Sequence, residues 1–131
     1  MYLLDTNIIS AVARDPASPV GRQLAATDPD LVVTSAVVAC EIRFGLAKNP
    51  DSRKAARSAE FLQTMTILPL EPDVAAEYAR ARSWLVRNGK GMGANDLLIA
   101  AHALTLGATV VTDDGDFGIL PGLKVENWLR T

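Results

Sequence analysis

A chain of 131 residues that is 49% hydrophobic and 21% charged holds enough apolar material for one compact core spanning residues 1–131. The lone cysteine, Cys40, excludes an intrachain disulfide and a Cys-rich metal centre, and no apolar run is long enough to span a membrane. No basic stretch precedes the first apolar residues, so a secreted protein is not expected and a cytoplasmic one is.

The opening MYLLDTN reads as a short buried strand, Tyr2 to Leu4, ending on an acid. Thr6 or Asn7 caps a helix carrying Ile8, Ile9 and Val12, which Asp15-Pro16 stops. A second helix covers Val20 to Ala26, ahead of the Asp28-Pro29-Asp30 turn. Leu31, Val32 and Val33 form the next strand, and Thr34 or Ser35 caps a helix over Ala36 to Ala47. Within it, Cys40 is expected as a buried small hydrophobe. After Asn49-Pro50, Asp51 or Ser52 starts a helix with Phe61, Leu62 and Met65 inside and Arg53, Lys54 and Arg57 outside.

Thr66 to Leu68 is a short strand, and Pro72 suits the first turn of the following helix. There Val74, Tyr78, Ala81 and Leu85 make one apolar stripe, and Asn88-Gly89 ends it. The loop Gly89-Lys90-Gly91-Met92-Gly93 leads into a helix from Asn95 to Leu106, closed by Gly107. Thr109 to Val111 is a strand with an acidic loop, Asp113 to Asp116, at its end. Lys124 to Glu126 is an edge strand, with Trp128 packed beneath. Strands alternating with helices predict an α/β fold: a central, mostly parallel, twisted sheet of four to five short strands with helices on both faces.

In such a sheet ligands bind beyond the carboxyl ends of the strands. Asp5, Asp114 and Asp116 follow strand ends. Asp96 lies in the first turn of its helix, and the side chain of Glu41 leans back towards the start of its own. Each acid alone could be a cap or a turn residue. Together they repel unless cations neutralise them, and hard carboxylate oxygens suit Mg²⁺, or Mn²⁺ as the alternative. Zn²⁺ fits less well, because His102 is the only histidine. Such ions serve in-line displacement at phosphorus. The net charge of −2 argues weakly against a nucleic-acid partner. Setting the five site acids aside leaves ten acids against thirteen Lys and Arg, so the remaining surface is basic.

LLDTNIIS, CEIRFGL, GANDLLIAAHAL and VVTDDGDF followed by LPGLKVENW together resemble the PIN-domain ribonucleases, specifically the VapC-type toxins of bacterial toxin–antitoxin pairs, over nearly the whole chain. The resemblance implies a PIN-like fold and metal-dependent hydrolysis of RNA phosphodiesters as a type II toxin endoribonuclease. It also implies a cognate antitoxin and a homodimer. Asp5, Glu41, Asp96 and Asp116 match the core acids, and Asp114 matches a position that often adds a ligand. Asp113 departs from the pattern, which frequently has Asn there, and is left out of the site.

Asn7 and Thr112 either orient a carboxylate or serve as a helix cap and a strand-end turn. His102 is nearly two turns from Asp96 and is expected to be packed or hydrogen-bonded rather than a general base. Trp84 and Trp128 are expected to pack. Of the basic residues, Lys90 is the candidate RNA contact because it sits in the glycine loop before Asp96. The rival readings are a metal-dependent DNA or junction nuclease, for which the chain leaves little room, and a catalytically silent metal- or partner-binding module of the same fold.

Overall fold

Leu3 and Leu4 are wholly buried because the strand they form is the middle of the sheet. The computed structural model describes residues 1–129, and positions 130 and 131 of the expected unit lie outside them. In chain order the elements are β1 (Tyr2–Leu4), α1 (Thr6–Arg14), α2 (Pro19–Ala26), β2 (Val32–Ser35), α3 (Ala36–Lys48) and α4 (Arg53–Leu62). Then follow β3 (Ile67–Leu68), α5 (Val74–Arg87), α6 (Ala94–Leu106), β4 (Thr109–Val111) and β5 (Lys124–Glu126). Short 3₁₀ turns occupy Pro29–Leu31 and Gly115–Ile119.

The sheet has the order β3-β2-β1-β4-β5 and is parallel at every pairing. Its three inner strands are buried along nearly their whole length, as strands covered on both faces must be, with Thr34 and Ser35 the buried polar exceptions. α1 packs on α4, α3 on α4, and α5 on α6. The right-handed crossover rule puts helices on both faces, since the chain steps outward from β1 to β3 and then returns past β1 to β4. This reversal makes the carboxyl ends of β1 and β4 the switch point of the sheet, where a ligand crevice forms.

Several expected boundaries shift for local reasons. Asp5, not Thr6 or Asn7, caps α1, its side chain accepting from the Thr6 amide. Ser35 and Ser52 are the caps of α3 and α4. α2 starts at Pro19, behind a Ser18 cap. Leu31 belongs to a 3₁₀ turn capped by Asp28 and is exposed, so β2 starts at Val32. Pro72 precedes Asp73, the cap residue of α5, and stands outside its first turn. α4 ends at Leu62, short of Met65. Cys40 is exposed rather than buried: α3 buries Val37, Val38 and Ile42, and at 100° per residue Cys40 falls on the far side from Val38 and Ile42. Trp128 is buried and stacks edge-on to Tyr2, ring centres 5.2 Å apart, while its indole nitrogen donates to Glu126.

Gly21 is the one glycine where a side chain has nowhere to go. A Cβ there would lie 2.1 Å from the carbonyl oxygen of Pro16, in the turn that leads into α2. The Gly21 amide also donates to the Ser18 hydroxyl that caps this helix. Gly21→Ala is therefore expected to cost about 2 kcal/mol, lowering Tm by roughly 6–10 °C. A calorimetric drop below about 2 °C would mean that this turn opens freely.

Candidate active site

The backbone places Asp5 before its side chain does anything. Its amide continues the β1–β4 ladder by donating to the Val111 carbonyl at 3.0 Å, which holds the residue at the carboxyl edge of the sheet. The carboxylate then receives three donors. The Thr6 amide reaches Oδ1 at 2.8 Å, the Thr112 hydroxyl reaches Oδ2 at 2.8 Å, and the Asn7 amide reaches Oδ2 at 3.4 Å. Asp5 is buried, and burial pushes its pKa up more than the Thr112 and Thr6 bonds pull it down, with Asp114 and Asp113 adding repulsion.

Asn7 and Thr112 thus take the orienting role. Asn7 donates to the Thr112 hydroxyl at 3.2 Å and accepts from the Asp113 amide at 3.2 Å. Thr112 also accepts from the Asp114 amide at 3.0 Å. The two residues lace the end of β1 to the loop after β4. That loop is set by Asp114, whose Oδ1 accepts from the Asp116 amide at 2.9 Å and so caps the 3₁₀ turn. Asp114 is half-buried; Asp113 and Asp116 are exposed.

Glu41 lies about one and a half turns into α3, on the side that buries Val38 and Ile42. Burial and then the charge on Asp5 raise its pKa, while the Thr6 hydroxyl, donating at 3.2 Å, and the Asn95 side chain oppose the rise. Asp96 stands in the first turn of α6, behind Gly93. Its pKa is pushed up to about 6, by burial first and then by the charges of Asp5, Asp114, Glu41 and Asp116, in that order. Asp96 therefore senses all four of the other acids picked out from the sequence. Among the described residues, no three acid, histidine or cysteine side chains stand close enough to clasp an ion as they are. The charges of the other four acids reach Asp96, so the five share one neighbourhood without converging on a single point.

Thr6 and Asn95 escaped the sequence reasoning. Both precede or follow an acid directly, Thr6 after Asp5 and Asn95 before Asp96, and both serve Glu41, an acid from a third element. Adjacency to the acids was the signal; the target on α3 could not be seen from it. Lys90 is exposed beyond the end of α5, and its backbone amide bonds to Leu85. Its side chain makes no hydrogen bond or ion pair with the acids among the described residues. His102 is buried, with Nδ1 2.8 Å from the Ser35 hydroxyl, and burial lowers its pKa against the pull of Asp73. It braces the start of α3 and is remote from proton transfer. Trp84 is half-buried and packs against the core, as expected.

The donor set is all oxygen: carboxylates with hydroxyl and amide groups behind them. Such a set fits a hard divalent cation, and the repulsion written into Asp96 is the charge that a cation would cancel.

Comparison with known proteins agrees with this geometry. The PIN domain family model matches residues 2–123. Ribonuclease VapC2 of Rickettsia felis is 30% identical over 131 residues, covering 98% of each chain. Ribonuclease VapC5 of Mycobacterium tuberculosis is 38% identical over 124 residues, covering 92% of this chain and 87% of its own. Among solved structures, VapBC2 from Rickettsia felis bound to a DNA fragment from its promoter superposes with a TM-score of 0.87 at 28% identity, over 97% of this chain and 98% of that one. With the PIN domain model matching residues 2–123 and VapC relatives 30% and 38% identical over most of its length, the chain belongs to the PIN-domain family, among its VapC-type members.

Proposed function

We propose that the chain is a metal-dependent endoribonuclease, the toxin of a type II toxin–antitoxin pair, acting in the cytoplasm as a single nuclease unit. Mg²⁺ is the proposed ion, with Mn²⁺ as the alternative. The observation that carries this reading is the position of Asp96 among four other carboxylates, at a strand-end crevice with oxygen donors only. The names of its relatives, VapC ribonucleases, support the activity.

The residues divide the work as follows. Asp5 is held rigid by Thr6, Thr112 and Asn7, so its outer lone pairs point into the crevice at a fixed place. Thr6 and Asn95 fix Glu41 opposite it. Asp96 and Asp114 close the ring, with Asp116 at the exposed rim. A bound divalent cation would supply there both an activated water and neutralisation of the charge that builds up on phosphate oxygens. The protein needs no histidine base, and His102 is not placed to be one. An antitoxin partner accords with the VapBC assembly among the structural relatives, and a homodimer is proposed as the resting form.

The test uses the chain purified free of any partner, incubated with total bacterial RNA and with matched single-stranded DNA. Cuts at discrete RNA positions with Mg²⁺ or Mn²⁺, none with EDTA and none in DNA, are expected. Cleavage of DNA in preference to RNA would replace the reading with the DNA-nuclease one. Absence of both by a folded chain would leave a silent binding module.

A further inference from the structure

α1 carries Thr6, Ser10 and Arg14 at four-residue intervals, one stripe about 12 Å long that starts at the acid site. α4 lies against this stripe, and the Ser10 and Ser58 hydroxyls meet at 3.2 Å where the helices touch. A cavity of about 230 Å³ opens from Thr6 and Glu41 past Ser10 and Ser58 to Lys54. A second, of about 140 Å³, is lined by Ser10, Lys54, Arg14 and Arg57. The two share Ser10 and Lys54 and so adjoin along the α1–α4 seam, a groove in two segments. Among the described residues Glu41 is the only acid lining it, at the end nearest Asp5, and three cations line the far end.

The dipole of α1 favours Arg14 in its last turn, but among the described residues no ion pair within the fold accounts for any of the three cations. Arg14, Lys54 and Arg57 are exposed and enter no ion pair among the described residues, where the one pair joins Arg80 to Glu77. Lys54 is in the first turn of α4, the positive end of the helix dipole, where a cation is disfavoured and no acid offsets it. Arg57 stands one turn further along α4 and Arg14 at the end of α1, so both guanidinium groups edge the same opening. Hydroxyls along the floor with cations at the end match a single-stranded polyanion, whose phosphates take the charges.

We propose that this groove is the path of the RNA flanking the scissile phosphate, with Lys54, Arg14 and Arg57 gripping backbone phosphates on one side of the cut. The proposal rests on the ribonuclease reading above. It makes the groove a length- and salt-dependent binding site that is blind to base identity, distinct from the Lys90 loop.

The experiment measures binding of a short single-stranded RNA, one that the wild type cuts, to Asp96→Asn protein across a range of KCl concentrations. Adding Arg14→Gln and Arg57→Gln is expected to flatten the slope of log K against log salt by about 1.4 and to weaken binding roughly 25-fold near 0.1 M salt. Adding Arg82→Gln and Lys124→Gln instead, which removes two cations from α5 and β5, leaves the slope as it was. Shortening the RNA on the groove side weakens binding to the parent and not to the Arg14/Arg57 variant. Melting curves check that each variant is folded. A slope unchanged in the Arg14/Arg57 variant, or changed equally in both pairs, overturns the groove while cleavage by the wild type leaves the nuclease reading standing. A wild type that cuts no RNA at all overturns both.

Discussion

Replacing Asp96 by Asn is expected to lower metal-dependent RNA cleavage by ~10³-fold or more in a protein that stays folded. The size follows from position. Asp96 is the acid that senses all the others, so removing its charge alters the field at the centre of the ring rather than at its rim. A loss of about 4 kcal/mol in transition-state stabilisation is what weakening the hold on a cation that neutralises the reacting phosphate is worth. Asp5→Asn is expected to fall as far. Asn keeps the α1 cap, since its side-chain oxygen can accept from the Thr6 amide as Asp5 does, but its NH2 would then face the Thr112 and Asn7 donors that Oδ2 accepts from, so a melting curve must accompany the rate. Asp113→Asn is the contrasting case. Asp113 is exposed and engages Asn7 only through its backbone amide, so the rate should stay within about five-fold, as for other solvent-exposed charges. Single-turnover rates on one mapped RNA, with metal in excess, decide the matter. An Asp96→Asn enzyme within ten-fold of wild type would remove the ring of acids as the active site.

The sequence was legible where a signal is local. Tyr2–Leu4 and Thr109–Val111 are short, largely apolar runs with an acid just past the carboxyl end, and they fold as the central strand and its neighbour. Their carboxyl ends made Asp5 and Asp114 candidates before any geometry was known. Legibility failed where two neighbours compete for one role. Asp5, Thr6 and Asn7 can each cap a helix, and the choice is made by β4, because the Asp5 amide is tied to Val111 and its carboxylate already faces the Thr6 amide. It failed again where a residue serves a distant element. Thr6 and Asn95 attend Glu41 across separations that no periodicity reveals. Cys40 shows the opposite error, a residue type usually buried that its own helix turns outward. Lys54 and Arg57 read as the solvated face of one helix and Arg14 drew no reading; only the α1–α4 packing makes the three one edge.

Adding Mg²⁺ to the metal-free protein is expected to raise its Tm, by more at pH 7.5 than at pH 5, and Asp96→Asn should cancel most of the difference. The sign follows from proton counts. Folded, Asp96 holds its proton up to about pH 6; its ordinary value is 3.8. Between those values the folded chain binds more protons than the unfolded one, so stability falls as pH rises through the interval and stays low above it. Asp5 and Glu41 are raised too and act in the same sense. For Asp96 alone the deficit at neutral pH is on the order of 2 kcal/mol after allowance for its partial exposure, or roughly 6 °C in Tm. His102 works the other way: its folded pKa is lowered, so the stability it contributes is lost as pH falls below its ordinary 6.5. The comparison is therefore wild type against Asp96→Asn at each pH, which leaves the histidine effect common to both. The variant should melt higher than the wild type in EDTA at pH 7.5 and near it at pH 4. A cation at a hundred times its Kd would return about 2.7 kcal/mol to the wild type, and far less to a variant that has lost the central ligand. Melting curves that run parallel for the two proteins from pH 4 to 7.5, with Mg²⁺ moving neither, would show that the acids neither repel one another enough to matter nor gather an ion.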